Sequence, residues 1–76
     1  DIEALLCTPP DAIAFHSRET ARLFFALPQI AGNFAAFRST VIACLSPRVA
    51  EAVPSLLQGR VKIAEWPDEA SLLALL

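Results

Sequence analysis

The sequence has few of the residues from which common metal and phosphate sites are built. Its 76 residues include one histidine, two cysteines and two glycines, with no methionine and no tyrosine. One histidine and the distant Cys7 and Cys44 make a poor zinc site, and there is no Cys-x-x-Cys pair. Gly32 and Gly59 are too far apart to form a glycine-rich phosphate loop. The sequence therefore predicts neither a metal centre nor a nucleotide-type phosphate loop.

Excess charge and long apolar runs are also lacking. The net charge is -2, from eight acidic and six basic side chains, and the basic residues are not clustered, so we expect no nucleic-acid partner. No apolar stretch approaches the roughly 20 residues that a membrane span needs. Residues 1–20 lack the basic start and long apolar core of a signal peptide. We therefore interpret Cys7 and Cys44 as small buried apolar residues, and expect a cytoplasmic protein without membrane contact.

Hydrophobic residues, in contrast, are abundant. They make up 55% of the chain, which is high for a free-standing domain of 76 residues, because a small domain buries only a modest share of its surface. The chain also begins at Asp1 and has no methionine. These features predict that residues 1–76 are a single partial domain, whose remaining apolar surface is covered by the rest of a parent chain or by another subunit.

Three short, largely apolar runs have the length and flanking residues of buried strands. They are Ala12–Phe15, residues 40–45 and residues 60–64. Helical patterns lie between and around them. The predicted helices are residues 2–6, 17–27, 47–57 and 67–76.

Prolines and glycines mark the ends of these helices. Pro28 ends one helix, and Pro54 is expected to kink or shorten another. Residues 29–39 are expected to be mostly loop, with a helical turn near residues 34–37, and Gly59 fits a turn.

Alternation of strands and helices predicts the α/β class, with an open parallel sheet and flanking helices. Three strands make a small sheet, and parallel sheets seldom leave their strands uncovered. The pattern therefore predicts that further strands lie elsewhere in the parent protein, and that an exposed edge could allow self-association.

Serine and arginine follow two of the predicted strands. The junctions contain Ser17-Arg18 and Ser46-Arg48, and ligands of open parallel sheets bind outside the carboxyl ends of the strands. The serines can be interpreted as helix N-caps. They can also be interpreted, with the arginines, as a shared rim that binds carboxylates or phosphates. The sequence leaves both interpretations open, and it favours His16 as a solvated loop residue.

Catalytic sets are not apparent. His16 and Ser17 are neighbours, but no serine-nucleophile elbow is present. The carboxylates Glu65, Asp68 and Glu69 are best explained as the start of a helix, where the helix dipole favours acidic side chains.

Three segments, in this order along the chain, resemble the C-terminal part of uroporphyrinogen-III synthase. They are "DAIAFHSRETARLF", "VIACLSPRVAEAV" and "VKIAEWPDEASLLALL". Members of that family have a strand ending in (Phe/Tyr)-x-Ser, then one ending in (Gly/Ser)-Pro-x-x-Ala, then a strand followed by Ala-x-x-Pro and a leucine-rich helix. The corresponding residues here are Phe15-His16-Ser17, Ser46-Pro47-Arg48-Val49-Ala50, and Ala64-Glu65-Trp66-Pro67 with Leu72, Leu73 and Leu76.

The resemblance implies a two-domain cytoplasmic enzyme with flavodoxin-like domains, of which this chain is the C-terminal segment. Such an enzyme closes the linear tetrapyrrole hydroxymethylbilane to uroporphyrinogen III, inverting the last pyrrole ring and releasing water, without a cofactor. The substrate is a polycarboxylate bound between the domains. The resemblance thus implies that Ser17 and Ser46 contact substrate carboxylates, assisted by Arg18 and Arg48.

The sequence departs from the family at two points. Arg48 and Val49 replace two threonines that are common in the family, and the tyrosine often linked to activity has no counterpart because the chain has no tyrosine. The catalytic residues therefore stay unknown. The alternative function is a non-enzymatic α/β binding or regulatory interaction module, but the acidic cluster of a receiver-like module is missing from the strand ends.

Overall fold

A computed structural model describes residues 2–76, and its centre is a three-stranded parallel sheet. The strand order is β1-β2-β3, with parallel pairing throughout. The predicted α/β class, an open parallel sheet with flanking helices, is confirmed. The strands are β1 (Ala12–Phe15), β2 (Val41–Cys44) and β3 (Val61–Ile63). The helices are α1 (Ile2–Cys7), α2 (Arg18–Ala26), α3 (Pro28–Ala31), α4 (Pro47–Ala50) and α5 (Glu69–Leu73), with 3₁₀ helices at Phe34–Phe37 and Ser55–Arg60.

The strand register aligns the carboxyl ends of all three strands. Phe15 pairs with Cys44, and Cys44 pairs with Ile63. Backbone hydrogen bonds continue one residue further, since the N–H of Leu45 donates to the carbonyl of Phe15 at 3.1 Å and that of Ala64 donates to Cys44 at 2.9 Å. The three connections that follow these strands therefore leave the sheet on the same side, at the carboxyl ends of the strands.

The two faces of the sheet have different cores, because successive strand residues point to opposite faces. Phe15 and Cys44 belong to a large cluster that includes residues of α2 and α4, such as Phe25. Burying a phenylalanine side chain of this kind contributes about 1.5–3 kcal/mol. Ala43, on the opposite face, packs with Leu72 of α5 in a smaller cluster. Helices therefore cover both faces.

The prediction of one continuous helix over residues 47–57 is wrong. Helix α4 ends at Ala50, and a 3₁₀ helix begins after Pro54. The expected shortening at Pro54 is confirmed, because proline has no N–H to continue the helix. The side-chain amide of Gln58 donates to the carbonyls of Ala50 and Val53 at 2.9 and 2.8 Å, which satisfies two acceptors that a continuous helix would have used.

Residues 29–39 contain more helix than the predicted loop. Pro28 ends α2 as predicted, but it also begins α3, where its missing N–H does no harm. The side chain of Asn33 then donates to the carbonyl of Gln29 at 2.7 Å. The predicted helical turn at Phe34–Phe37 is confirmed.

The two cysteines lie in different environments. Cys44 is fully buried, and burial raises the pKa of its thiol to about 11. It is therefore protonated near neutral pH and is not a nucleophile. Cys7 is exposed, so the interpretation of Cys7 as a buried apolar residue is wrong.

Candidate functional site

Polar residues of three connections follow the carboxyl ends of the strands. We name this surface the carboxyl-end rim, and define it as residues 16–18, 46–48 and 65–68. Ser17 follows Phe15 by two residues, and Ser46 follows Cys44 by two, so the strand register places the two serines at equivalent positions. Because neighbouring strands lie about 4.8 Å apart, these positions are neighbours in space.

Ser17 is the N-cap of α2. Its Oγ accepts a hydrogen bond from the N–H of Thr20 at 3.0 Å and donates to Oγ1 of the same residue at 2.8 Å. The capping interpretation is therefore confirmed for Ser17. A cap of this kind contributes about 1 kcal/mol to stability.

Ser46 has the extended backbone of an N-cap, but its side chain makes no capping hydrogen bond. Its own carbonyl accepts hydrogen bonds from Val49 at 3.1 Å and from Ala50 at 3.2 Å. The Val49 N–H is the group that an N-cap side chain normally binds. The capping interpretation is therefore wrong for Ser46. Its hydroxyl has no hydrogen-bond partner among the described residues, and it reaches solvent although the residue is half-buried.

Arg18 and Arg48 are exposed on the rim. Neither forms an ion pair with a carboxylate of residues 2–76. Arg22, one turn further along α2, is instead paired with Glu19. Its hydrogen bond is the main reason that the pKa of the Glu19 carboxyl lies below its ordinary value, and the charge of Arg18 lowers it further. Both rim guanidinium groups therefore remain free for an external anion.

The segment 65–68 crosses the carboxyl edge of the sheet. It follows β3 and Ala64. Immediately after the segment, Oε1 of Glu69 lies 3.8 Å from Nε2 of His16, which follows β1. The strand order puts β2 between these two points. Asp68 caps α5 by accepting a hydrogen bond from the N–H of Ser71 at 2.8 Å. The segment therefore passes above the end of the central strand and forms part of the rim.

Comparison with models of known families identifies the family to which the chain belongs. A family model described as Uroporphyrinogen-III synthase HemD matches residues 2–74. The chain belongs to this family. The resemblance found in the sequence is thereby confirmed. No curated protein and no solved structure matches the chain.

Membership of the uroporphyrinogen-III synthase family implies a tetrapyrrole substrate. The rim is an open surface, since residues 2–76 enclose no pocket. Within the same residues no group of three or more potential ligand side chains is placed to hold a metal ion. No helix in the described part of the chain is long and apolar enough to cross a bilayer.

Proposed function

We propose that the chain is the C-terminal part of a uroporphyrinogen-III synthase, and that its carboxyl-end rim binds the carboxylates of hydroxymethylbilane. The reaction closes this linear tetrapyrrole to uroporphyrinogen III, with inversion of the last pyrrole ring and loss of water. The observation that carries the proposal is the pair Arg18 and Arg48, both without an ion pair to residues 2–76 and both at the sheet edge where open parallel sheets bind ligands.

The rim groups differ in what they can offer a carboxylate. Arg18 and Arg48 supply charge-assisted hydrogen bonds, which are roughly twice as strong as neutral ones. The hydroxyl of Ser46 supplies a neutral donor, because no described residue uses it. Ser17 acts mainly by holding the first turn of α2 in place, because its hydroxyl is already bonded to Thr20. We name no catalytic residue.

Positioning is the contribution that such a rim can make to the chemistry. Ring closure without inversion joins the two ends of the bilane directly, whereas uroporphyrinogen III requires attack at the substituted carbon of the last ring. Fixed contacts to several carboxylates restrict the bilane to conformations in which that carbon is reached. Water leaves in the same overall reaction, and no oxidant or reductant is needed.

The apolar surface of the chain supports the proposal that it is a partial domain. Leu56 is 80% exposed and Leu76 is 63% exposed. Both outer edges of the sheet, on β1 and on β3, have no partner strand within residues 2–76. Exposed strand edges are normally covered or paired in native proteins. We therefore propose that the rest of the parent chain covers these surfaces, and that the 76-residue segment alone is inactive.

The test uses the parent protein and freshly generated hydroxymethylbilane. The products are oxidised, and the isomer I and isomer III porphyrins are separated by chromatography. Spontaneous closure gives isomer I, so a dominant isomer III peak shows synthase activity. In Arg18→Gln/Arg48→Gln we expect KM to rise by at least about tenfold, because hydrogen bonds to charged groups contribute about 1.5–3 kcal/mol each. The fraction of isomer I should rise with it.

A matched control separates this effect from a general loss of charge. Arg38→Gln/Lys62→Gln removes the same two positive charges from exposed residues outside the rim. If it raises KM as much as the rim variant, the rim does not contact substrate. If the unmodified parent forms isomer I alone, the synthase function is wrong and a non-enzymatic binding module is left. Conversion by the purified 76-residue chain at the parent's rate would contradict the partial-domain proposal.

A further inference from the structure

Aromatic side chains in this protein divide sharply between the core and the rim. The five phenylalanines make ring-to-ring contacts with one another, with centroid separations from 5.1 to 6.1 Å. Trp66 takes part in no such contact with a described residue, and it is 64% exposed. It is thus the one aromatic side chain of residues 2–76 that the core does not use. Tryptophan is highly buried on average, so an indole that is 64% exposed on this rim has a ring face available to a ligand.

The backbone around Trp66 is fixed at several points. The N–H of Asp68 donates to the carbonyl of Trp66 at 2.8 Å. Ala64, two residues earlier, is bonded to β2 through its N–H. Glu69, three residues later, lies beside His16. The indole is therefore carried by a short bend held from both ends, directly on the segment that crosses the carboxyl edge of the sheet.

We infer that Trp66 contacts the substrate, with its indole stacked against one pyrrole ring of the tetrapyrrole. This inference rests on the proposed function. The substrate presents two kinds of surface, namely carboxylates and flat, electron-rich rings. Arg18 and Arg48 are complementary to the carboxylates, but they offer no extended flat apolar surface. Indole does, and aromatic pairs gain energy beyond simple area burial when they stack with an offset.

Stacking on a fixed aromatic ring also suits the reaction. A ring that must be inverted during closure has to turn relative to its neighbours, while the other rings stay in place. The indole of Trp66, on its anchored bend, can hold one pyrrole ring of the substrate by stacking, without hydrogen bonds to the substituents of that ring. Trp66 therefore acts as a positioning surface that touches substrate, and it supplies no acid or base.

The experiment compares three replacements of Trp66 in the parent protein. Trp66→Ala removes the ring, Trp66→Phe keeps an aromatic face, and Trp66→Leu keeps apolar bulk without a π surface. For Trp66→Ala we expect KM for hydroxymethylbilane to rise about tenfold, which is the size of effect that loss of one stacked ring produces in aromatic recognition of nucleic-acid bases. Trp66→Phe should recover most of this loss and Trp66→Leu should not. The isomer I fraction should follow the same order.

A second exposed apolar residue provides the control. Leu23 is 54% exposed and lies in α2, beyond the residues that form the rim. Leu23→Ala should leave KM and the isomer ratio unchanged. Thermal unfolding of every variant shows whether a change reflects folding, since a packing residue alters the midpoint of unfolding and leaves KM in the folded fraction unchanged.

The outcomes distinguish this inference from the function on which it rests. If Trp66→Ala keeps the KM and isomer ratio of the unmodified protein, the indole does not contact substrate, although the synthase function stands. Equal recovery by leucine and phenylalanine would likewise overturn stacking. Isomer I alone from the unmodified parent would remove the synthase function itself. A loss that phenylalanine restores and leucine does not, at an unchanged unfolding midpoint, would support the inference.

Discussion

The connection after β1 and the connection after β2 have similar sequences but different hydrogen bonds. The segments "AFHSRETA" and "ACLSPRVA" align without gaps, so that Ser17 corresponds to Ser46. In the first, the serine side chain binds the N–H of Thr20. In the second, the N–H of Val49 goes to the carbonyl of Ser46, and the serine hydroxyl has no partner among the described residues. Residue type alone therefore does not decide whether a serine caps a helix.

The length and tightness of the following helix explain the difference. Helix α2 has nine residues, and its first-turn N–H at Thr20 has no backbone acceptor in the helix, so it is available to the cap. Helix α4 has four residues and begins with Pro47. Its single turn is tightened by the bond from Val49 to Ser46, in the manner of a 3₁₀ turn. The first serine thus stabilises the fold, whereas the second is free to contact a ligand.

The largest expected difference is in the free energy of unfolding, and it concerns the last residues of the strands that precede the two connections. Phe15 and Cys44 are paired in the sheet and are both buried. Phe15→Ala should lower the free energy of unfolding by about 3–5 kcal/mol, because it leaves a cavity among the phenylalanines. Cys44→Ala removes one methylene-sized group and should cost about 1 kcal/mol.

Urea unfolding measures both changes. A small domain has a total stability of about 5 kcal/mol or slightly more, so Phe15→Ala should leave almost no cooperative transition, while Cys44→Ala keeps one. Similar midpoints for the two variants would mean that the phenylalanine cluster is not the main source of stability.

The second contrast concerns the two serines themselves. Ser17→Ala should lower the free energy of unfolding by about 1 kcal/mol, because it removes an N-cap, whereas Ser46→Ala should change it little. Urea unfolding of the two variants gives the comparison directly. If the proposed function holds, the order should reverse for substrate binding in the parent protein, with Ser46→Ala raising KM more than Ser17→Ala does in the folded protein. Equal stability losses would show that Ser46 also caps its helix.

The smallest expected difference in stability between the two connections comes from the ion pair between Glu19 and Arg22 in α2. The Arg22 hydrogen bond lowers the pKa of Glu19, and α4 has no corresponding ion pair among the described residues. A lowered pKa in the folded state means that the pair stabilises the fold above the ordinary pKa of glutamate, and that this contribution is lost as the pH falls through the lowered value.

Carbon-13 NMR of the Glu19 carboxyl tests this prediction. The titration midpoint should lie below the ordinary value in the unmodified chain and move up in Arg22→Gln. Arg38→Gln provides the control, because that arginine is not paired with Glu19. A midpoint that does not move in Arg22→Gln would show that the pair does not persist in solution.

Much of the fold follows from local sequence. The apolar run Ala12–Phe15 is bounded by polar or proline residues, and the strand has the predicted bounds. Pro54 indicated where a helix would be interrupted. The 3₁₀ helix that follows Pro54 is held by a hydrogen bond from the side chain of Gln58 to the carbonyl of Ala50. The periodicity of apolar residues does not reveal this contact.

The candidate site could be predicted in part for the same reason. Parallel strands bring their carboxyl ends together, so the sequence placed Ser17, Arg18, Ser46 and Arg48 on one edge. The strand pattern also predicts that residues 66–68 lie at this end of the sheet. The path of segment 65–68 towards His16 could not be predicted, because it depends on the packing of α5 and on a contact between His16 and Glu69, which are far apart in the chain. Trp66 is therefore known from the sequence only as part of the motif Ala64-Glu65-Trp66-Pro67.

The packing of α5 also has a consequence for synthesis on the ribosome. Chains emerge from their N-terminal side and domains fold as units, so β1, β2 and β3 leave the tunnel before α5 does. Until Leu72 follows, Ala43 and Ala64 on the second face of the sheet have no cover from α5. The packing of Leu72 also places α5 so that Glu69 lies beside His16 and segment 65–68 passes the ends of the strands. A nascent chain that stalled before Leu72 would thus have all three strand segments but neither a covered second face nor a complete rim.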